Sequence, residues 1–177
     1  MGRNIVVIGG GPAAVLAVLE AKRVDPAADV TLVSDESCEP YEKPPLSKAV
    51  LLGKAKAEDA LIAGPAGLAQ RGVALRLGTR CIAVDRVSKR IDTTAGPLPY
   101  DALVIATGSR VRELPAFPKG APRVHYLRTA EDARMLKDEI SRGRHLLVVG
   151  AGLIGLEAAA SAAMLGLQVT VIEAASR

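Results

Sequence analysis

Two glycine-rich stretches have the residue types and spacing that a dinucleotide pyrophosphate requires. The first is Gly9-Gly10-Gly11-Pro12-Ala13-Ala14, preceded by Ile5-Val6-Val7-Ile8. The second is Gly150-Ala151-Gly152-Leu153-Ile154-Gly155, preceded by Leu146-Leu147-Val148-Val149. A pyrophosphate needs backbone N–H donors at close range. The first glycine permits the tight turn, the second lets the backbone approach the phosphates, and the third lets helix and strand pack closely. The helix that follows adds a partial positive charge at its N-terminus. Ala14 takes the third place in the first motif, a tolerated small residue. A carboxylate at the end of the next strand should then hold the adenosine ribose hydroxyls. Asp35, with Glu36 as second choice, has that place in the first unit, and Glu173 has it in the second. One such motif is a weak signal, because glycine-rich turns are common. Two, each with an acid at a strand end, point to two dinucleotide sites, and two dinucleotides side by side usually mean a flavin reduced by a nicotinamide. Glu173 would repel a 2′-phosphate, which favours NADH over NADPH, although Arg177 lies close enough to keep NADPH open.

Strand–turn–helix units must hold these loops. Residues 4–8 predict a buried strand, with Pro12 just inside a helix that runs to about Val24 and stops at Asp25-Pro26. Val30–Val33 predicts the second strand. Pro40, Pro44 and Pro45 exclude regular helix or central strand, and a short helix is expected to begin near Ser47. Residues 73–77 predict a strand, and 81–87 with 90–94 a hairpin turning near Ser88-Lys89. Pro97-Leu98-Pro99 leads into an expected buried strand at Ala102–Ala106, ending at Thr107-Gly108. Residues 109–123, rich in proline and glycine, read as a linker. Thr129 and Asp132 form a capping-box pattern for a helix to about Arg142, and the second βαβ unit ends in a strand at 169–173.

The 177-residue chain is 49% apolar, enough for one good domain or two small ones. Aromatics are only 2%, so stacked platforms for single-stranded nucleic acid are not expected. The net charge of +4 is spread without a Lys/Arg run, which does not support a nucleic-acid partner. Cys38 and Cys81 are isolated, with no C-x-x-C, and read as unpaired thiols of a reducing compartment. His125 and His145 lack ligand spacing, so no metal is expected. No apolar run has transmembrane length, and the N-terminus reads as a phosphate loop and not a signal peptide, so a cytoplasmic protein without a membrane partner is expected.

The chain resembles the FAD-dependent, NAD(P)H-linked ferredoxin and rubredoxin reductases that serve oxygenase systems. The resemblance covers the whole chain in order. It rests on Gly9–Ala14, on Pro40-Tyr41-Glu42-Lys43-Pro44-Pro45-Leu46-Ser47-Lys48, on Ala106-Thr107-Gly108, and on Gly150–Gly155 with Leu156-Glu157. It implies an α/β fold of the glutathione-reductase type, with two Rossmann-like βαβ units for FAD and NAD(P). On that reading, residues 1–108 are the N-terminal part of an FAD-binding domain, 109–128 a linker, and 129–177 the start of an NAD-binding domain. The chain then looks like the N-terminal part of a longer reductase, and the fragment alone is expected to be inactive and to bind FAD weakly or not at all.

The same resemblance implies that the Pro-Pro-Leu-Ser-Lys segment runs beside the flavin. Lys48 approaches the isoalloxazine while paired with Glu157, and Lys43 and Pro44 are cofactor contacts. The family usually has Arg where this chain has Lys43, which weakens that one assignment. A cation at the flavin N5/O4 edge would stabilise negative charge arriving with hydride. The implied activity passes electrons from NADH through FAD to a small iron–sulfur protein, a ferredoxin or rubredoxin. Two alternatives are an NADH oxidase or peroxidase, disfavoured because Lys48 stands where a redox cysteine would, and a signalling flavoprotein related to apoptosis-inducing factor.

Overall fold

The β-branched run near the N-terminus forms β1 (Asn4–Ile8), and the alanine- and leucine-rich stretch behind Pro12 forms α1 (Pro12–Val24). The computed structural model describes residues 2–176. Its contacts divide it into two units, Met1–Glu42 with Glu58–Ser109, and Lys43–Ala57 with Arg110–Arg177. Each is taken by itself.

In the first unit, Pro12 sits at the start of α1, where its missing N–H is no loss, and Lys22 and Arg23 complement the negative C-terminal end. Ala14, Val15 and Val18 are buried on one face, against Val7 of β1 and Val30 and Leu32 of β2 (Asp29–Val33). With β3 (Val73–Arg76) and the strand that becomes β7 (Ala102–Ile105), these form a parallel sheet in the order β3-β2-β1-β7. The register pairs Ile8 with both Val33 and Ile105. The chain therefore leaves β1, β2 and β7 at one level, and Gly9, Ser34-Asp35 and Ala106–Gly108 emerge together at the C-terminal edge of the sheet.

β4 (Cys81–Asp85), β5 (Arg90–Thr93) and β6 (Gly96–Pro99) make a separate antiparallel sheet. The expected turn near Ser88-Lys89 is present, with Lys89 at φ +47°. Pro97 and Pro99 are themselves part of β6 and not merely a lead-in, which proline tolerates because β6 is an edge strand. The strand expected to be buried at Ala102–Ala106 is instead an edge strand. Val104 is 37% and Ile105 63% exposed, and among the described residues β7 has a neighbour on one side only.

In the second unit, the short helix expected to begin near Ser47 is a single 3-10 turn, Pro44–Ser47, that ends at that residue. Two successive prolines fix φ and remove two N–H donors, which suits a single tight turn. α2 (Ala130–Ile140) opens on a reciprocal capping box, in which Asp132 N–H donates to Thr129 Oγ1 and Thr129 N–H donates to Asp132 Oδ2. β8 (His145–Val149), α3 (Leu153–Met164) and β9 (Gln168–Ile172) follow as a parallel βαβ unit. Leu51, Leu136, Ile140, Ala158 and Ala162 form its core. The proline-rich stretch before α2 has neither helix nor regular strand. Tyr126 ties it, its hydroxyl donating to the Phe117 carbonyl and accepting from Leu114 N–H. No helix among the described residues is long and apolar enough to cross a membrane.

Candidate functional site: two glycine loops and a lysine–glutamate pair

The first glycine loop lies between β1 and α1. Gly9 N–H donates to Val33 O at 2.8 Å, and Ala106 N–H donates to Ile8 O at 2.8 Å, so three chain segments meet there. Gly9 has φ +136°, and a Cβ on it would lie 2.1 Å from Ala106 O. Only glycine permits that crossing. A Cβ on Gly10 would lie 2.5 Å from Ser34 Oγ, whereas one on Gly11 would meet nothing within 4 Å. The open side of the loop is therefore at Gly11, the position where backbone must approach a phosphate. Pro12 and Ala13 are exposed, Ala14 is buried against the sheet, and the first turn of α1 carries no acid to neutralise its positive end. Thr107 and Gly108 follow directly on the Ala106 crossing.

The two candidate ribose carboxylates of this unit differ in surroundings. Asp35 is exposed at the end of β2. Glu36 is half-buried and accepts a 2.5 Å hydrogen bond from the hydroxyl of Tyr41, a residue 1% exposed. The Pro-rich segment delivers that tyrosine, a partner that sequence reading missed.

The second loop repeats the plan. Gly150 has φ +104°, and its N–H donates to Ile172 O at 2.8 Å. A Cβ on Gly155 would lie 2.2 Å from Gly150 O, so the third glycine lets α3 rest against its own loop. Gly152, like Gly11, faces open space. Leu153 and Ile154 at the head of α3 are 82% and 51% exposed. Glu173, just beyond β9, reaches back to this loop. Its Oε2 accepts from Ala151 N–H at 2.7 Å and its Oε1 from Ala175 N–H at 2.9 Å. The Ala175 N–H, then that of Ala151, holds its carboxyl below the usual range and keeps it anionic. Arg177, named above for its bearing on NADPH, lies outside the described residues.

Lys48 and Glu157 are brought together. Lys48 Nζ lies 2.7 Å from Glu157 Oε2 and donates to Pro44 O at 3.3 Å, with the two side chains 50% and 33% exposed. The lysine ammonium, followed by the Ser47 hydroxyl, holds the Glu157 carboxyl below its ordinary range. Lys43 precedes the 3-10 turn and is half-buried. Ser47 and Ser161 were not singled out from sequence, yet both are buried and hydrogen-bonded around this pair. The four-residue spacing of Ser161 from Glu157 on a helix was the available signal. No group of three or more metal-ligating side chains is gathered among the described residues, and Cys38 and Cys81 form no disulfide.

Chemically, each loop offers backbone donors, a positive helix end and a nearby carboxylate, which fits the pyrophosphate and ribose of a dinucleotide. The pair offers a cation held by a carboxylate on the helix that leaves the second loop.

Comparison with known proteins gives the same picture. The family described as pyridine nucleotide-disulphide oxidoreductase matches residues 3–177. The ferredoxin–NAD(+) reductase component of a p-cumate 2,3-dioxygenase system from Pseudomonas putida is 42% identical over 175 residues, 98% of this chain and 43% of that protein. Rhodocoxin reductase from Rhodococcus erythropolis is 40% identical over 98% of this chain and 41% of its own length. Among solved structures, the putidaredoxin reductase in a covalent complex with putidaredoxin superposes with a TM-score of 0.87 at 37% identity, covering 99% of this chain and 43% of that one. A ferredoxin reductase from Rhodopseudomonas palustris does so with a TM-score of 0.90 at 31% identity, covering 99% and 44%. The chain thus spans less than half the length of these relatives.

Proposed function

Because the chain belongs to the pyridine nucleotide-disulphide oxidoreductase family, we propose that it is the nucleotide-binding part of a flavoprotein reductase that passes electrons from NADH through FAD to a ferredoxin- or rubredoxin-type protein. The observation that carries this reading is the Lys48–Glu157 pair, seated on the helix that begins at the second glycine loop. Relatives named as ferredoxin and rubredoxin reductases support the choice of acceptor.

On this proposal residues 1–108 belong to the FAD-binding domain, 109–128 link the domains, and 129–177 begin the NAD-binding domain. Gly9, Gly11 and the N-terminus of α1 take the FAD pyrophosphate. Asp35 takes its ribose, being exposed while Glu36 is engaged by Tyr41. Gly150, Gly152, Gly155 and Glu173 take NAD in the same way. FAD, when bound, accepts a hydride and hands on electrons singly. Lys48 supplies the positive charge for the flavin, and Glu157 keeps that side chain in place. Glu173, anionic and joined to the loop, disfavours a 2′-phosphate, so NADH is the proposed donor. The proposed location is the cytoplasm.

The test is anaerobic addition of NADH to the intact, FAD-loaded reductase. Loss of the visible absorbance of oxidised flavin is expected. Retention of the oxidised spectrum removes the reading.

A further inference from the structure

Ser47 and Ser161 are each 4% exposed and face one another across the second unit. Ser47 Oγ donates to Glu157 Oε2 at 2.5 Å, and Ser161 Oγ donates to the Ser47 carbonyl at 2.7 Å. Glu157 and Ser161 stand four positions apart on α3, so they lie one above the other on a single face. Both ends of Ser47, hydroxyl and carbonyl, are therefore held by successive turns of one helix. The next residue is Lys48, whose ammonium shares the same Glu157 oxygen.

We propose that Ser47 and Ser161 are positioning residues, which clamp the Pro44–Ser47 turn to α3 and thereby fix the Lys48–Glu157 pair at a set distance from the nucleotide loop. This rests on the reading that Lys48 serves a flavin. An ion pair half open to water gains little by itself, because two long side chains must give up rotamer freedom to stay together. Here that freedom is removed beforehand. The serine backbone is pinned by Ser161, and Glu157 is oriented by a buried hydroxyl before the lysine arrives. The pair is thus assembled on a rigid element whose first turn is the second glycine loop. A nucleotide that settles on Gly152 then meets the N-terminus of the helix whose second turn carries the lysine's counter-ion.

Loss of the Ser47 hydroxyl raises the Glu157 carboxyl in any case, because that hydroxyl donates to it. Ser161 touches only the Ser47 carbonyl, so a shift of Glu157 in Ser161→Ala is the response that a merely structural serine would not produce. The deciding measurement is side-chain NMR titration of Glu157 in the chain, with the Lys48 ε-methylene signals followed alongside, comparing wild type with Ser47→Ala, Ser161→Ala and Ser47→Thr. The Ser47→Ala carboxyl should titrate at higher pH, and the Lys48 ε-methylene signals should move toward those of a solvated lysine. Ser161→Ala should shift both in the same direction by less. Ser47→Thr, which keeps the hydroxyl, should return Glu157 toward wild type. In the FAD-loaded reductase, Ser47→Ala should slow reduction by NADH roughly three- to tenfold, with NADH affinity unchanged within about twofold. Glu157 titrating alike in wild type and Ser161→Ala, with the Lys48 signals unmoved, overturns the proposal. If NADH fails to reduce wild-type flavin, the proposed function falls, and the titration still decides whether the clamp exists.

Discussion

The two outer glycines of the first loop should separate folding from ligand binding. A Cβ on Gly9 would sit 2.1 Å from Ala106 O, almost 1 Å inside the 3.0 Å limit that real Cβ contacts respect, at a φ of +136°. The obstacle is backbone from β7, which is itself tied to β1, so neither side can yield cheaply. Placing alanine in that conformation costs about 1–3 kcal/mol. Forcing apart the crossing adds about 1–3 kcal/mol more. A combined loss of about 2–6 kcal/mol is a large part of the 5–15 kcal/mol that holds a typical domain. At roughly 4–8 °C per kcal/mol, Gly9→Ala should melt at least about 8 °C below wild type by circular dichroism, or fail to fold. Gly11 is the control within the same loop. Its Cβ meets nothing within 4 Å, so Gly11→Ala should stay within about 1 kcal/mol of wild type. That methyl would instead fill the side the phosphate must approach, and FAD titration should show at least about tenfold weaker binding. A Gly9→Ala protein melting within about 2 °C of wild type would refute the steric argument. Equal losses of stability in both variants would refute the assignment of Gly11 to the ligand.

The other expectations concern single side chains. Lys48→Met keeps much of the volume and removes the charge, so stopped-flow reduction by NADH should slow roughly ten- to a hundredfold with FAD still bound; a wild-type rate returns Lys48 to the solvated surface. Glu173→Ala should weaken NADH use and narrow the preference over NADPH, and a wild type that already prefers NADPH shows the assignment of Glu173 to be wrong. Asp132 tests the α2 cap through pH. Burial pushes its carboxyl up, but the Thr129 N–H and the Lys119 ammonium outweigh this and hold it below the usual range. A carboxyl depressed in the folded state stabilises fully above its unfolded value of roughly 3.9, and that contribution is lost as pH falls through the folded value. Asp132→Asn should therefore cost about 1 kcal/mol at neutral pH in urea unfolding and flatten the loss of stability below roughly pH 4; an unchanged acid limb counts against the role of this cap.

The parts visible in the sequence were those written in local chemistry. Glycines beside β-branched runs, Pro12 at a helix start and the Thr129–Asp132 box each fix backbone within a few residues, and the elements they announce are present. What was missed depends on neighbours far along the chain. β7 reads as a buried strand because it is wholly apolar, yet its exposure is set by its place at the end of the sheet order. Pro97 and Pro99 hide β6, since only edge position makes them tolerable in a strand. The Pro44–Ser47 turn was displaced by a few residues because proline both starts and shortens helices. Within the candidate site the pairing of Lys48 with Glu157 was anticipated through family resemblance and not through spacing. The serines around it were not anticipated, because burial does not show in a serine's type and only the four-residue spacing of Ser161 from Glu157 hinted at it.

The open flank of β7 has a practical side. Two of the chain's sheets end in parallel strands with apolar side chains turned outward, Val104 and Ile105 on β7, and Leu147, Val149 and Ile172 on β8 and β9. Backbone N–H and C=O groups along such flanks are templates for another strand, and neither β7 nor the β8–β9 pair has the lysine, proline or bulge that natural edges use to deter one. The 177-residue chain taken by itself should consequently aggregate at lower concentration than its +4 charge alone would imply. A single lysine at position 105, where the side chain is already 63% exposed, is the least disruptive place to introduce a gatekeeper.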